Sequence, residues 1–116
     1  MLNQRSQVGP VFQALADPTR RGLVERLSSG PASVSELAEP LPMSLSAVVQ
    51  HLGVLEAGGI VTTKKVGRVR TCQLDPDALD VAGSWIAGQQ AAWQHRLDRL
   101  GAFLTETEPA SPPGDR

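Results

Sequence analysis

The sequence predicts a mainly α-helical domain with one small β-hairpin, in the element order α-α-α-α-β-β-α. Three observations support this fold class. Asp and Ser residues that suit helix N-caps recur along the first half of the chain. A β-branched stretch with a turn glycine follows them, and a long final segment repeats apolar residues at helical spacing. The length of 116 residues fits one domain with a modest core.

The first two helices are predicted from apolar spacing and from capping residues. The apolar residues on one side of a short first helix are Val11, Phe12 and Leu15. Asp17 suits the N-cap of the second helix, and Pro18 fits its first position, where no backbone N–H is needed. A Gly-Pro pair at positions 30 and 31 ends that helix.

Two further helices are predicted almost back to back. Ser33 and Glu36 form the sequence pattern of a capping box, so a third helix begins there, and Pro40 and Pro42 stop it. Ser44 suits the N-cap of a fourth helix. The apolar residues on its expected buried face are Val48, Leu52 and Leu55. The chain therefore contains two helices that are separated by a short turn.

A hairpin and a long helix complete the predicted domain. The hairpin has strands at 60–65 and 69–74, with Gly67 in the turn. Asp75 and Pro76 repeat the cap-plus-proline pattern and begin a helix that runs to about Thr105. The apolar residues that recur along this helix are Leu79, Ala82, Ile86, Trp93, Leu97, Leu100 and Leu104. Their continuous seam predicts a long C-terminal dimerisation helix.

The order helix, short turn, helix and hairpin is that of a winged helix-turn-helix, which predicts binding to double-stranded DNA. The outward positions of the fourth helix are Ser44, Leu45, Ser46, Ala47, Val49, Gln50 and His51. None of them carries a carboxylate. Gln50 can pair bidentately with adenine, whereas Leu45 or Val49 can contact a thymine methyl group in the major groove.

The predicted hairpin is the basic part of a chain whose formal net charge is -1. Between positions 64 and 70 there are four cations and no carboxylate: Lys64, Lys65, Arg68 and Arg70. Strand alternation divides them between two faces, and Arg68 beside the turn can reach a phosphate or a minor groove. Basic hairpins also protect solvated sheet edges from aggregation, so it is the coincidence with the helix pair that favours DNA.

Three segments resemble the ArsR/SmtB family of winged-helix repressors. They are LADPTRRGLVERL (Leu15–Leu27), PMSLSAVVQHLGVLEAGGIV (Pro42–Val61) and GRVRTCQLDP (Gly67–Pro76). The resemblance covers roughly residues 11–104. The last helix, with Trp85 and Trp93, is similar to the non-metal subgroup that is often encoded beside START-like (SRPBCC) proteins.

The resemblance implies an autoregulating homodimeric repressor that binds an inverted-repeat operator. The family's recognition-helix contacts would fall on Ser44, Leu45, Ser46, Val49, Gln50 and His51. Its contacts from the wing and to the DNA backbone would fall on Lys64, Lys65, Arg68, Arg70 and Arg20. Its dimer surface, from the first and last helices, would include Phe12, Leu79, Ile86, Trp93, Leu97 and Leu100.

Several residues allow more than one interpretation. Arg20 and Arg21 can reach a phosphate or form an ion pair with an acid such as Glu25. Cys72 is either a packed strand residue or a thiol switch, which would need a lowered pKa. The two tryptophans belong to the core, to the dimer interface or to a cavity for an unknown small-molecule effector.

The chain departs from the family's metal sensors. Their cysteine cluster would fall on residues 33–39, which contain no cysteine. The last helix offers only His95 and Asp98 as a candidate pair, whereas zinc needs about four ligands. We therefore expect no metal and no other cofactor. The alternatives are a metal-responsive repressor and a winged-helix protein-interaction module that does not bind DNA.

Composition argues against catalysis, secretion and membrane insertion. The sequence has no Gly-rich phosphate loop and no Cys/His pair arranged as a nucleophile, so we do not expect an enzyme. The single cysteine suits a reducing cytosol, and no apolar run approaches the roughly 20 residues of a membrane span. We expect a cytoplasmic protein with a flexible N-terminus at 1–8, one domain at 9–105 and a disordered tail at 106–116.

Overall fold

The computed structural model describes residues 4–107, and the side chains of residues 8–106. Its elements are α1 (Gln4–Ala14), α2 (Pro18–Leu27), β1 (Ala32–Ser33), α3 (Val34–Ala38), α4 (Leu45–Ala57), β2 (Val61–Val66), β3 (Val69–Leu74) and α5 (Pro76–Thr107). The predicted fold class is confirmed, because helices dominate, an antiparallel hairpin follows α4 and α5 is long. The chain divides into two compact units, one ending at Trp85 and one beginning at Ile86.

Strand β1 is missing from the predicted order of elements. It pairs antiparallel with β3, so that Ala32 lies opposite Cys72 and the strand order is β1-β3-β2. Two residues are too few to show an alternating pattern, and their partner strand is far away in the chain. The sequence around Ala32 therefore gives no local signal for this strand.

Helix α1 begins earlier than the apolar pattern predicts. It includes residues 4–8, which the sequence predicts to be a flexible N-terminus. Val8 is buried one turn before Val11, so an additional apolar contact supports the first part of the helix. At the other end, the predicted tail at 106–116 overlaps the last residues of α5, and residues 108–116 lie outside the described part of the chain.

Side-chain caps confirm the four helix starts that the sequence predicts. The backbone N–H donors and their acceptors are Arg20 to Asp17 (3.0 Å), Glu36 to Ser33 (3.1 Å), Ala47 to Ser44 (3.1 Å) and Asp77 to Asp75 (3.0 Å). The Glu36 carboxylate also accepts the backbone N–H of Ser33 at 2.9 Å and completes the capping box. Each cap satisfies an N–H group that would otherwise lack a partner, at a gain of about 1 kcal/mol.

The hydrophobic core is formed by α1, α2, α3, α4, the sheet and the first part of α5. Side chains with no more than 4% exposure include Leu23, Leu27, Leu37, Val48, Leu52, Leu55, Ile60, Val61 and Cys72. Three of these belong to α4 and confirm its predicted buried face. Because residues three and four apart share one side of a helix, their burial turns the opposite side of α4 away from the core.

Among residues 4–107, no helix combines the length and the apolar composition that crossing a membrane requires.

Leu55→Ala is expected to lower the free energy of unfolding by about 2–5 kcal/mol, because it leaves a cavity in place of a fully buried side chain. Leu45→Ala on the same helix is the matched control. Leu45 is 55% exposed, so its truncation should change stability by less than about 0.5 kcal/mol. Urea unfolding followed by circular dichroism measures both. Equal losses would contradict the assigned orientation of α4.

Candidate nucleic-acid interface

The exposed side of α4 carries most of the residues that the sequence assigns to base reading. Ser44, Leu45, Ser46, Val49 and Gln50 are exposed, whereas His51 is half-buried. The first turn of α4 contains no acidic residue, so nothing in that turn neutralises the positive end of the helix dipole. This side of α4 is therefore an uncharged, accessible surface that ends in an electropositive helix start.

The two strands of the hairpin place its cations on different sides. Lys65 pairs with Arg70 across the hairpin, and Lys64 pairs with Thr71. Since neighbouring residues in a strand face opposite sides, Lys65 and Arg70 share the side of the buried Cys72, and Lys64 lies on the other side. Arg68 is exposed beside the turn, where Gly67 adopts a φ of 63° that favours glycine.

Arg70 lies close to the exposed side of α4. A cavity of about 90 Å³ between α4 and the hairpin is lined by Arg70, Val49, Glu56 and Cys72, among others. Across this cavity Thr63 Oγ1 donates a hydrogen bond of 2.9 Å to Glu56 Oε2. This bond joins the second half of α4 to β2 and holds the hairpin beside the exposed helix face.

The charges of the hairpin are not neutralised within the described side chains. None of its four cations forms an ion pair with a carboxylate of residues 8–106. Lys65 lies directly opposite Arg70, and like charges at such a cross-strand position repel each other. An anion bound beside this pair would relieve the repulsion, so the hairpin suits a phosphate.

Arg20 connects the helix-turn-helix to α1. Its Nε donates to the carbonyl oxygen of Ala14 at 2.7 Å, and its Nη2 donates to that of Gln13 at 3.2 Å. Its Nη1 lies 3.3 Å from Nδ1 of His51 on α4. These contacts give Arg20 a structural role that the sequence does not reveal, since His51 is distant in the chain. Its predicted contact with a phosphate stays a prediction.

The ion pair with Glu25, one of the two alternatives for Arg20 and Arg21, is not formed among the described side chains. Within residues 8–106, neither Arg20 nor Arg21 makes a salt bridge with Glu25. Arg21 instead donates through Nη1 to the carbonyl oxygen of Leu15 at 2.9 Å. Both arginines bind backbone oxygens at the C-terminal end of α1, where carbonyl groups run out of intrahelical donors. The Gln13 oxygen also accepts the backbone N–H of Ala16 at 3.2 Å.

Asp17 lies in the same cluster. Its carboxylate accepts the backbone N–H of Arg20, and its Oδ2 is 3.8 Å from Nδ1 of His51. The hydrogen bond from the Arg20 backbone is the main cause that lowers the pKa of Asp17 from 3.8, with a smaller contribution from His51. Asp17 is therefore ionised at neutral pH and caps α2 in its charged form.

Cys72 is fully buried in β3. Burial raises the pKa of its thiol, and the nearby Glu56 carboxylate raises it further, against the opposing effect of Arg70. A thiol switch would need a lowered pKa and an accessible thiol, so burial and the raised pKa favour the alternative of a packed strand residue.

The predicted dimerisation residues fall into two groups. Phe12 and Leu79 are half-buried against the core of the first unit. Phe12 also contacts Trp85 edge to face, with ring centroids 5.6 Å apart. In the second unit, four predicted positions are exposed, namely Ile86, Trp93, Leu97 and Leu100. These four residues of α5 are called the apolar stripe below.

The candidate metal-ligand pair, for which the sequence predicts no metal, is exposed on α5. His95 and Asp98 both lie in the exposed part of the helix, and Asp98 Oδ1 accepts a hydrogen bond from Gln94 at 3.1 Å. In the described part of the chain, no three His, Cys, Asp or Glu side chains are close enough to hold a metal ion.

A short turn between α3 and α4, an accessible α4 face and an adjacent cationic hairpin define a winged helix-turn-helix protein. The crystal structure of an ArsR family transcriptional regulator has a TM-score of 0.73 and 48% sequence identity to this chain, covering 76% of this chain and 97% of its own. This chain belongs to the ArsR family of transcriptional regulators.

Two further proteins and one domain family are similar to this chain. A helix-turn-helix domain family matches residues 15–64. The HTH-type transcriptional regulator Rv2034 of Mycobacterium tuberculosis is 53% identical over 68 residues, which are 59% of this chain and 64% of the relative. This chain thus spans less than two thirds of that relative. The homodimeric winged helix-turn-helix DNA-binding domain of Mb0332 from Mycobacterium bovis has a TM-score of 0.59 and 26% identity, covering 82% of this chain and 90% of its own.

Asp17→Asn is expected to remove one acid-sensitive contribution to stability. The folded-state pKa of Asp17 is lowered, so its stabilising effect is complete above its ordinary pKa of 3.8 and is lost as pH falls through the lower folded value. Asn also suits an N-cap but does not titrate. Urea unfolding from about pH 7 to about pH 3 should therefore show the wild type losing stability faster than the variant below about pH 4. Parallel pH curves would contradict this assignment.

Proposed function

We propose that this protein is a homodimeric, DNA-binding repressor of transcription that acts by occupying an inverted-repeat operator. The observation that carries the proposal is the exposed side of α4 next to Arg70 of the hairpin, with Lys65 paired opposite Arg70. A helix fits the major groove, where side chains such as Gln50 read bases, and adjacent cations bind phosphates. Family membership supports the same function. It also supports a regulator rather than an enzyme.

Reading of bases is assigned to the first half of α4. Ser44 and Ser46 are small, which lets the helix approach the phosphate backbone closely. Leu45 and Val49 are 55% and 40% exposed, and apolar side chains at this position can contact thymine methyl groups. Gln50 supplies donor and acceptor groups for an adenine. Arg68, at the exposed tip of the hairpin, is assigned to a phosphate or the adjacent minor groove.

The apolar stripe on α5 supports the homodimer. A helix turns about 100° per residue, so Ile86, Trp93, Leu97 and Leu100 lie on one side of α5. Contiguous exposed apolar side chains of this kind mark protein interfaces. A symmetric pair would present two copies of α4 about one helical turn of DNA apart, which matches a palindromic operator.

We further propose that the repressor is cytoplasmic, acts without a metal and belongs to the subgroup encoded beside START-like proteins. The absence of cysteine from α3 supports regulation without a metal. We assign the two tryptophans to the lining of a site for a small organic effector. Trp93, without Trp85, borders a surface depression of about 130 Å³ together with Gln89, Ala92 and Arg96.

Gln50→Ala and Arg68→Ala are expected to affect DNA binding in different ways. Gln50→Ala should relax sequence preference by about 1–3 kcal/mol at one base pair, because it removes a base contact. Arg68→Ala should weaken binding to all sequences and reduce the log-log salt slope by about 0.9, because it removes one phosphate contact. Footprinting and gel shifts on the DNA upstream of the protein's own gene measure both.

The same complexes test the alternatives. Unchanged affinity and preference in Gln50→Ala would contradict the base-reading assignment. Failure of the wild type to bind this DNA at low salt would favour the protein-interaction module. Zn²⁺, Cd²⁺ or arsenite should leave the complex intact, whereas release by any of them would favour the metal-responsive repressor.

Leu97→Asp is expected to dissociate the homodimer, because it places a charge in the middle of the apolar stripe. We expect the dimer dissociation constant to rise at least about tenfold in sedimentation equilibrium. His95→Asp is the matched control, since His95 lies about half a turn from the stripe and receives the same side chain. A wild type that stays monomeric, or equal effects of both variants, would contradict this interface.

A further inference from the structure

We propose that Arg20 is a positioning residue that holds His51 as the neutral Nε2–H tautomer, so that α4 donates this N–H to a DNA phosphate. This inference depends on the proposed function for its DNA partner. The part that concerns Arg20 and His51 depends only on the geometry of the protein.

Two distances decide which nitrogen of His51 carries the proton. A guanidinium can donate hydrogen bonds but cannot accept them. Arg20 Nη1 is 3.3 Å from Nδ1, which therefore acts as the acceptor. Asp17 Oδ2 is 3.8 Å from the same nitrogen, beyond the length of a hydrogen bond. Nδ1 is thus unprotonated, and the proton of the neutral ring is on Nε2.

Arg20 is well fixed for this role. Its hydrogen bonds to the carbonyl oxygens of Ala14 and Gln13 hold the guanidinium at the end of α1. Its backbone N–H donates a hydrogen bond to the carboxylate of Asp17, the N-cap residue of α2. The guanidinium therefore approaches His51 from a preset direction. Without Arg20, the nearest charged group to Nδ1 would be the Asp17 carboxylate, which favours a proton on Nδ1.

The other nitrogen of His51 is available to a ligand. Within the described side chains, Nε2 makes no hydrogen bond. Among the described residues that are not exposed, every side-chain nitrogen or oxygen atom that is shielded from solvent has a hydrogen-bond partner. Nε2 is consequently accessible to solvent. The structure leaves a neutral N–H donor without a protein partner on the helix that carries Gln50.

The position of His51 on α4 favours a phosphate over a base. Successive residues are about 100° apart, so His51 lies between the exposed side with Gln50 and the buried side with Leu55. Val49 lies toward the hairpin, and His51 lies toward α1 and α2 on the opposite flank. In a helix that enters the major groove, residues on the flanks meet the DNA backbone, whereas central residues meet the bases.

The protonation state can be measured on the free protein by ¹⁵N NMR of the histidine ring at neutral pH. The wild type should show the Nε2–H tautomer. Arg20→Met should shift the ring toward the Nδ1–H tautomer, because Asp17 then remains as the partner of Nδ1. Arg21→Met is the matched control and should leave the ring unchanged, since Arg21 contacts Leu15 and not His51. A protonated wild-type ring, or no shift in Arg20→Met, would overturn the role of Arg20.

The phosphate contact can be measured with two variants that leave Arg20 in place. The side-chain nitrogen of Gln reaches the position of Nε2, whereas that of Asn reaches only the position of Nδ1. His51→Gln should therefore bind the DNA upstream of the gene nearly as tightly as the wild type, and His51→Asn about tenfold more weakly. Because the donor is neutral, the salt slope should be the same for all three proteins.

Each outcome has a distinct meaning. A salt slope reduced by about 0.9 in His51→Asn would show a cationic contact and overturn the neutral donor. Altered sequence preference in His51→Asn would overturn the phosphate in favour of a base. A wild type that binds no DNA would overturn the proposed function and the contact of Nε2 with it, while the NMR result would still decide the role of Arg20.

Discussion

The burial of one face of α4 is the constraint on which the rest of this structure depends. Val48 and Leu55 are completely buried and Leu52 is nearly so, which fixes the rotation of the helix about its axis. If the buried positions were displaced by one residue along the sequence, α4 would be rotated by about 100° and Gln50 would move toward the core. The apolar packing that stabilises the domain therefore also determines which α4 side chains are exposed.

Each flank of α4 is connected to a different part of the fold. On one side, Thr63 of β2 binds Glu56 and keeps the cationic hairpin beside the helix. On the other side, Arg20 binds His51 and joins the helix to the end of α1. These polar contacts surround the exposed helix face without covering it. The half-buried His51 thus differs from its exposed neighbours because it belongs to the supporting contacts as well as to the surface.

The proposed DNA-binding surface and the apolar stripe belong to different compact units. The unit that ends at Trp85 contains α4, the hairpin and the core, whereas the exposed apolar stripe belongs to the unit that begins at Ile86. Stability of the first unit comes from its own core. The stripe gains burial only when another surface covers it, so the proposed dimerisation depends on its side chains.

Local signals in the sequence determined the helices, their caps and the hairpin. The four capping side chains bind backbone N–H groups no more than three residues away; they are Asp17, Ser33, Ser44 and Asp75. The buried face of α4 follows a helical period. Both features can therefore be predicted from the sequence. Tertiary structure alone decided strand β1, the bond between Arg20 and His51 and the raised pKa of Cys72. Each of these depends on segments that are distant in the chain and meet only after folding, and local patterns carry no information about such meetings.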